Sequence, residues 1–256
     1  MRLEVAGRRL EVADLAGTEA AGPPLVLLHE GLGCVRLWRD WPQRLAAATG
    51  RRVIAYSRAG YGASDPVELP RPLRYMHHEA LAVLPPLLER LEVDRPVLVG
   101  HSDGASIALI HAGSAGRPVA GLVLLAPHVF VEERTLAGIR AARRAYLDGD
   151  LRPRLARYHD DVDNAFWGWN DAWLDPAFAA WNIEDVLAGL PCPCLVVQGA
   201  DDPYGTPAQI EAIRRGSGAG VESHLLAGCG HAPHAERPEE TSALVLGWLA
   251  GRRLPG

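Results

Sequence analysis

The sequence predicts an α/β protein built on a mostly parallel, doubly wound sheet. Short, continuous apolar runs recur along the chain, as expected for strands that are covered on both faces. Stretches with helical periodicity separate these runs, and this alternation is typical of parallel sheets with helices on both sides. A chain of 256 residues, 48% of them hydrophobic, is long enough to bury a large core in one α/β domain.

The predicted elements begin with a hairpin and continue as alternating strands and helices. Residues 1 to about 15 read as two antiparallel strands around Ala6-Gly7-Arg8, because apolar and polar residues alternate on both sides of that turn. Helices are predicted near 39–49 and 75–91. Buried strands are predicted near 24–29, 52–56, 96–99, 121–126, 194–199 and 221–226.

The segment Gly100-His101-Ser102-Asp103-Gly104 joins the strand pattern at 96–99 to a helix pattern. A serine held between two glycines at such a turn is the G-x-S-x-G nucleophile elbow. The glycines let the chain pass close to the serine, whose own backbone is expected to be strained. Ser102 is therefore the candidate nucleophile, and the alternative interpretation is a serine that caps a helix.

Between residues 128 and 190 the alternation of strands and helices stops. This stretch favours helix, lacks any buried-strand run and contains four of the seven tryptophans, namely Trp167, Trp169, Trp173 and Trp181. We expect residues 1–127 and 191–256 to form the α/β core and 128–190 to form a helical cap, inserted after the sixth strand and lying over Ser102.

Candidates for a base and an orienting acid follow two later strands. Asp202 comes just after the strand at 194–199, and His231 follows the strand at 221–226 in the segment Gly228-Cys-Gly-His231. The carboxyl ends of parallel strands share one edge of a sheet, where active sites form. The order Ser, Asp, His thus predicts a catalytic triad. Asp201 and His234 are the neighbouring alternatives for the acid and the base.

These motifs resemble those of the α/β-hydrolase family, and the resemblance covers nearly the whole chain. Residues 25–31 (LVLLHEG) are similar to the family's strand that ends in a His-Gly oxyanion loop, and residues 56–65 (YSRAGYGASD) to its D-x-R-G-x-G-x-S turn. The resemblance implies the α/β-hydrolase fold, and the family's G-x-x-D spacing favours Asp202 over Asp201 as the acid.

The resemblance also implies an oxyanion hole made of the backbone N–H groups of Gly31 and Asp103, with Leu32 as an alternative to Gly31. Two residues depart from the family's pattern here. Glu30 replaces a glycine, and we expect it to point away, to be held by Arg36 or Arg39, or to tune substrate choice. The alternative interpretation is a solvated glutamate of the loop. Asp103 follows the nucleophile, and we expect its side chain to face outward, because only its N–H is needed.

Further residues are candidates for the wall of a substrate pocket. A cap of this size has little core of its own, so some of its aromatic rings are expected to reach the pocket. The interpretation as pure core packing remains open for the tryptophans, and His234 is interpreted as a residue at the rim or a structural histidine. The pocket candidates are Glu30, His128, Trp167, Trp169 and His234.

Composition excludes several other classes of protein. The net charge of −5 and the absence of basic runs argue against nucleic-acid partners. Residues 1–6 show no apolar signal core, and no segment approaches a membrane span, so we expect a cytoplasmic protein without membrane partners. The four cysteines lack the spacing of a metal site and are expected to be free, buried thiols; we expect no metal and no organic cofactor.

The expected activity is that of a serine hydrolase that cleaves a small carboxylic ester through an acyl-enzyme on Ser102. A carbon–carbon bond hydrolase of ring-cleavage diketo acids is the alternative within the family, and it would need a cation such as Arg58, or an arginine of the cap, for the substrate carboxylate. A non-catalytic ligand receptor is the alternative of another class. The expected partner is a small-molecule ester, and the sequence leaves the oligomeric state open.

Overall fold

The computed structural model describes residues 1–18, 22–218 and 220–252, in which eight strands form one sheet. The strands are β1 (Arg2–Val5), β2 (Arg8–Leu15), β3 (Leu25–Leu28), β4 (Val53–Tyr56), β5 (Val97–His101), β6 (Gly121–Leu125), β7 (Cys194–Gly199) and β8 (Val221–Leu226). Their spatial order is β1-β2-β4-β3-β5-β6-β7-β8. Strands β3 to β8 run parallel, whereas β1 and β2 form an antiparallel hairpin whose second strand pairs antiparallel with β4.

Helices cover both faces of this sheet. They are α1 (Trp41–Thr49), α2 (Tyr75–His78), α3 (Leu84–Arg90), α4 (Asp103–Ser114), α5 (Glu133–Leu147), α6 (Leu151–Leu155), α7 (Val162–Leu174), α8 (Ala208–Gly216), α9 (Pro233–Glu236) and α10 (Pro238–Ala250). Shorter 3-10 turns lie at Val35–Trp38, Pro176–Ala180 and Glu184–Gly189. Residues of the central strands alternate between two buried clusters, one on each face of the sheet.

The order of the strands places one switch point between β3 and β5. From β3 the chain continues to β4 on one side of the sheet, and it then crosses to β5 on the other side. In doubly wound sheets the crevice at such a point, beyond the carboxyl ends of the strands, is where ligands bind. The loop after Leu28 and the turn after His101 therefore meet at this edge.

The predicted mostly parallel sheet and the N-terminal hairpin are confirmed. The helix predicted near 75–91 is interrupted by a π-helical stretch at Glu79–Val83 between α2 and α3. The segment 128–190 contains α5, α6 and α7 and one isolated bridge between Phe130 and Asn182. Its division from the core at 127 and 191 stays a prediction.

The helices and the cysteines of the described residues can be compared with the expectations from composition. None of their helices is both long enough and apolar enough to span a membrane. All four cysteines are free and buried: Cys34, Cys192, Cys194 and Cys229. Burial raises the pKa of the Cys229 thiol to about 11, so this cysteine near His231 is protonated and unreactive at neutral pH.

Candidate active site

Ser102 stands alone between β5 and α4 in a strained backbone conformation. Its φ of 52° and ψ of −118° lie outside the regions that L-residues ordinarily adopt. The two flanking glycines are required by space: a Cβ at Gly104 would lie 1.9 Å from the Leu28 carbonyl oxygen, and one at Gly100 would lie 2.4 Å from the Gly104 oxygen. The turn therefore lifts the serine above the carboxyl edge of the sheet.

The Ser102 side chain faces a cavity of about 160 Å³ at the switch point of the sheet. Within the described residues its hydroxyl has no hydrogen-bond partner, as is common for nucleophiles before substrate binds. His231 borders the same cavity. The lining residues are Glu30, Gly31, Leu32, Ser102, Asp103, His128, Thr135, Ile139, Trp169, Trp173, Tyr204 and His231.

His231 is held by Asp202 on the side away from the cavity. Nδ1 of His231 lies 2.9 and 3.0 Å from the two carboxylate oxygens of Asp202, so Nδ1 carries the proton and Nε2 is the free acceptor. Asp202 is buried and also accepts a bond from the Tyr204 backbone N–H at 2.8 Å. Asp201 is exposed on the adjacent turn and makes no side-chain contact with His231.

The environment of Asp202 keeps its carboxylate ionised. Burial raises the pKa of Asp202, but the hydrogen bond and the charge of His231, together with the Tyr204 N–H, outweigh burial and hold the pKa below its usual value. An ionised acid that is buried against Nδ1 fixes the tautomer of the ring and stabilises its charged form. The geometry thus suits His231 to act as a general base at Nε2.

Side-chain hydrogen bonds hold the peptide between Glu30 and Gly31 in place on the side of its carbonyl oxygen. Its carbonyl oxygen accepts hydrogen bonds from Nδ1 of His29 at 2.7 Å and from Nη2 of Arg58 at 2.8 Å. Nε2 of His29 accepts the Arg58 backbone N–H at 3.0 Å, which makes Nδ1 the protonated ring nitrogen. The N–H of the same peptide, on Gly31, has no partner among the described residues and borders the cavity.

The second candidate oxyanion donor is the backbone N–H of Asp103. As the first residue of α4, Asp103 has no intrahelical acceptor for this N–H, and the helix dipole there favours negative charge. Space at Gly31 is equally restricted, because a Cβ there would lie 2.1 Å from Nε1 of Trp169. Glycine at position 31 thus allows the indole of α7 to lie directly over the loop.

The expectation that the Asp103 side chain faces outward is wrong. It is fully buried and accepts hydrogen bonds from the Tyr75 hydroxyl at 2.6 Å and from Nε1 of Trp173 at 3.2 Å. Nη2 of Arg58 lies 3.7 Å away and compensates its charge. A buried carboxylate needs such partners, and they were not predictable because they come from three separate segments of the chain.

The expectation that Arg36 or Arg39 holds Glu30 is also wrong. Oε2 of Glu30 lies 3.3 Å from Nδ1 of His101, whereas Arg36 lies over the ring of Tyr158 and Arg39 is exposed. The Glu30 side chain is only 26% exposed, so the solvated-loop interpretation fails as well. Burial raises the pKa of Glu30, but the hydrogen bond and charge of His101 outweigh it and hold the pKa well below its usual range.

The structure brings three of the five pocket candidates to the cavity and leaves two outside. Glu30, His128 and Trp169 line it. Trp167 packs instead against Tyr146 and Phe166. His234 is buried behind His101, against the rings of Trp38 and Trp41, and is absent from the cavity wall.

His128 is buried at the cavity wall with its ring 5.8 Å from that of His231. Burial, together with the neighbouring His231, lowers the pKa of His128 to about 3. A neutral ring at this position adds no charge to the cavity at physiological pH.

Sequence reasoning did not assign several lining residues to the pocket. Thr135 and Ile139 stand four positions apart on α5, and Trp169 and Trp173 stand four apart on α7, so each pair shares one helix face. This spacing of four residues was the sequence feature that could have assigned these side chains to the pocket. Leu32 and Tyr204 follow the oxyanion loop and Asp202, and only their adjacency to candidate residues pointed to them.

No metal centre is formed by the part of the chain that the structure describes. None of its His, Cys, Asp and Glu side chains form a group of three or more that could hold an ion.

Comparison with known proteins identifies the family of this chain. A sequence profile of the alpha/beta hydrolase family matches residues 25–244. Proline iminopeptidase of Lactobacillus helveticus is 24% identical over 92% of each chain, and 2-hydroxymuconate semialdehyde hydrolase of Pseudomonas sp. strain CF600 is 27% identical over 96% of this chain and 92% of its own. A solved carboxylesterase of Nitrososphaera gargenis, 20% identical, superposes with a TM-score of 0.78 over 98% of both chains.

The fold and the sequence match define a hydrolase of the α/β class. The chain belongs to the alpha/beta hydrolase family. These two relatives are hydrolases of different substrates. Membership of the family therefore establishes an alpha/beta hydrolase enzyme, but the bond that this enzyme cleaves has to be argued from the site.

Proposed function

We propose that this protein hydrolyses small carboxylic esters through an acyl-enzyme on Ser102. The observation that carries the proposal is the shared cavity of Ser102 and His231, with Asp202 bonded to the far side of the His231 ring. Nucleophile, base and orienting acid are thus present in one place, and two backbone N–H groups without acceptors border the same space.

The reaction begins when Ser102 Oγ attacks the acyl carbon and His231 Nε2 takes the hydroxyl proton. The N–H groups of Gly31 and Asp103 stabilise the oxyanion, a contribution typically worth about 3–4 kcal/mol per donor. Collapse of the tetrahedral intermediate expels the alcohol, which receives its proton from His231. A water then gives a proton to His231 and attacks the acyl-enzyme. As the bond between the acyl carbon and Oγ breaks, His231 returns that proton to Ser102 Oγ, and the carboxylic acid leaves.

The segment 128–190 is proposed to act as a cap over the nucleophile. Thr135 and Ile139 of α5 and Trp169 and Trp173 of α7 border the cavity opposite Ser102. Removing this wall would open the cavity to solvent, so the segment both limits substrate size and excludes bulk water.

The cavity favours a small substrate without a carboxylate. Its volume of about 160 Å³ is below the roughly 300 Å³ of ordinary drug-sized ligand sites. None of the described lining residues is a lysine or arginine, and Glu30 adds a carboxylate to the wall. A short-chain, uncharged acyl group fits this space and this charge.

The carbon–carbon hydrolase alternative lacks the cation that it requires. Arg58 is buried and directed at the Glu30 carbonyl and at Asp103, and it does not line the cavity. Arg134, in the proposed cap, donates to the Asp202 carbonyl. The relative that cleaves 2-hydroxymuconate semialdehyde is nevertheless similar over nearly the full chain, so a ring-cleavage product belongs in the substrate test.

An aminopeptidase is the second candidate function. The Glu30 carboxylate at the cavity wall offers a partner to a substrate ammonium group, and proline iminopeptidase is among the relatives. Ester hydrolysis is favoured because His101 already engages one oxygen of this carboxylate.

The test is steady-state hydrolysis of p-nitrophenyl acetate, butyrate and octanoate, alongside proline p-nitroanilide and a ring-cleavage diketo acid. We expect turnover of acetate and butyrate, loss of activity in Ser102→Ala by several orders of magnitude, and poor use of octanoate. Faster turnover of the anilide or the diketo acid would replace the ester assignment. A single burst without turnover would indicate a ligand receptor.

A further inference from the structure

The ring of His101 joins two loops of the candidate active site. His101 directly precedes Ser102, and its side chain is only 3% exposed. Nδ1 lies 3.3 Å from Oε2 of Glu30 in the oxyanion loop, and Nε2 lies 2.8 Å from the backbone carbonyl oxygen of His231. The residue before the nucleophile thus bridges the loop of the oxyanion donor and the loop of the base.

Both ring nitrogens of His101 face acceptors that cannot donate a proton in return. The Glu30 carboxylate and the His231 carbonyl each require an N–H, and a neutral imidazole has only one. The doubly protonated ring satisfies both, and its charge then compensates the Glu30 carboxylate.

The other titratable groups around His101 change its pKa but do not reverse the preference for the doubly protonated ring. The rings of His231 and His234 lie 5.1 and 4.9 Å away, and the ionised Asp202 adds a favourable charge. Burial lowers the pKa of His101, but the bond and charge of Glu30 and the His231 carbonyl outweigh burial and raise it above the ordinary value.

We propose that Glu30 is a positioning residue that acts through protonated His101, fixing the oxyanion loop and the backbone of His231 relative to Ser102. This inference rests on the proposed ester hydrolysis. It assigns a role in that reaction to Glu30, which stands where the family's pattern has a glycine. The carboxylate does not oppose the oxyanion, because the imidazolium beside it carries the compensating charge.

The oxyanion loop is shaped to receive this carboxylate. A Cβ at Gly33 would lie 2.3 Å from Oε2 of Glu30, and the Gly33 N–H donates to the Glu30 carbonyl at 3.1 Å. The loop therefore folds tightly around the Glu30 side chain, and only a glycine at position 33 leaves room for it.

The role of Glu30 has a consequence for the pH dependence of turnover. Loss of a proton from His101 breaks one of its two hydrogen bonds and leaves the Glu30 charge uncompensated beside the oxyanion hole. Turnover is therefore expected to fall on the alkaline side. In Glu30→Gln no charge is left uncompensated, and the glutamine amide can donate to Nδ1 of a neutral ring, so the alkaline limb that His101 causes is expected to disappear.

The kinetic test compares pH profiles of kcat and KM for the wild type, Glu30→Gln and Glu239→Gln. Glu239 makes the matched control, because it pairs with Arg44 on the surface and its side chain is 83% exposed. We expect the alkaline fall in kcat to be lost in Glu30→Gln, with little change in KM, and to stay in place in the control. An unchanged limb in Glu30→Gln would overturn the proposal.

A second measurement follows the His101 ring directly, in the resting enzyme. Imidazole ¹⁵N NMR, assigned with His101→Gln, is expected to show a doubly protonated ring at neutral pH in the wild type and a lower pKa in Glu30→Gln. A neutral ring in the wild type would overturn the proposal, even if Glu30→Gln failed to fold. If Ser102→Ala retained ester turnover, the proposed function would fail, while the NMR result would still decide the Glu30–His101 pair.

Discussion

Arg58 and Glu30 meet directly behind the candidate oxyanion hole, where Nη2 of Arg58 donates a hydrogen bond to the Glu30 carbonyl oxygen at 2.8 Å. The N–H of the same peptide belongs to Gly31 and borders the cavity. A charge-assisted bond to the carbonyl polarises the peptide and strengthens its N–H as a donor. We therefore expect Arg58 to strengthen the proposed oxyanion hole without touching the substrate.

The first prediction concerns Arg58→Lys. Lysine keeps the buried charge beside Asp103 but lacks the planar fork that reaches the Glu30 carbonyl. We expect kcat for p-nitrophenyl acetate to fall by about ten-fold, or about 1.4 kcal/mol, with little change in KM, because the donor is used most in the transition state. Arg52→Lys is the matched control, since Arg52 donates to the Leu91 carbonyl at 2.7 Å far from the cavity. Equal losses in both variants would contradict this role.

The second prediction tests the space at the nucleophile turn. A Cβ at Gly104 would lie 1.9 Å from a backbone oxygen, so Gly104→Ala requires the turn to shift. We expect this variant to lose about 3 kcal/mol or more of unfolding free energy and most of its activity. Gly247→Ala in α10, where a Cβ meets no atom within 4 Å, is expected to stabilise the protein by about 0.5–1 kcal/mol. Urea unfolding measures both, and similar effects of the two variants would refute the steric explanation.

The third prediction separates the two adjacent aspartates. Asp202→Asn removes the charge that holds Nδ1 of His231 and permits the wrong tautomer, so kcat is expected to fall by about 10²–10⁴-fold. Asp201→Asn changes an exposed side chain and is expected to leave kcat unchanged. Steady-state kinetics with p-nitrophenyl acetate provides the measurement. A larger loss in Asp201→Asn would move the acid to that position.

The strands and the nucleophile turn were predictable because their causes are local. Strands buried on both faces are continuous apolar runs, as at Val97–His101, and the crowding at Gly100 and Gly104 appears in the sequence as two glycines. The proximity of Asp202 and His231 followed from the rule that carboxyl ends of parallel strands share one edge.

The partners of buried charges were not predictable, because they come from distant segments. Glu30 pairs with His101, and the buried Asp103 is held by Tyr75 and Trp173, neither of which is near it in sequence. Which tryptophans of α7 line the cavity depends on the face that this helix turns towards it. The spacing of four residues between Trp169 and Trp173 carried that information.

The last prediction concerns stability in mild acid. His234 is buried against the rings of Trp38 and Trp41, and its Nδ1 has no hydrogen-bond partner in the part of the chain that the structure describes. Burial, together with the nearby charge of His101, lowers the pKa of His234 to about 3. Because the unfolded chain binds this proton near pH 6.5, the stabilisation is complete above that pH and is lost as the pH falls towards 3.

His234→Phe removes the titrating group and keeps an aromatic ring against the two tryptophans. Relative to the wild type, the variant is expected to lose about 2 kcal/mol less unfolding free energy between pH 7 and pH 5. His224→Phe is the control, because His224 lies at the surface beside Glu222. Urea unfolding at the two pH values decides the matter: if the wild type and His234→Phe lose stability in parallel, the His234 ring is not held neutral by burial.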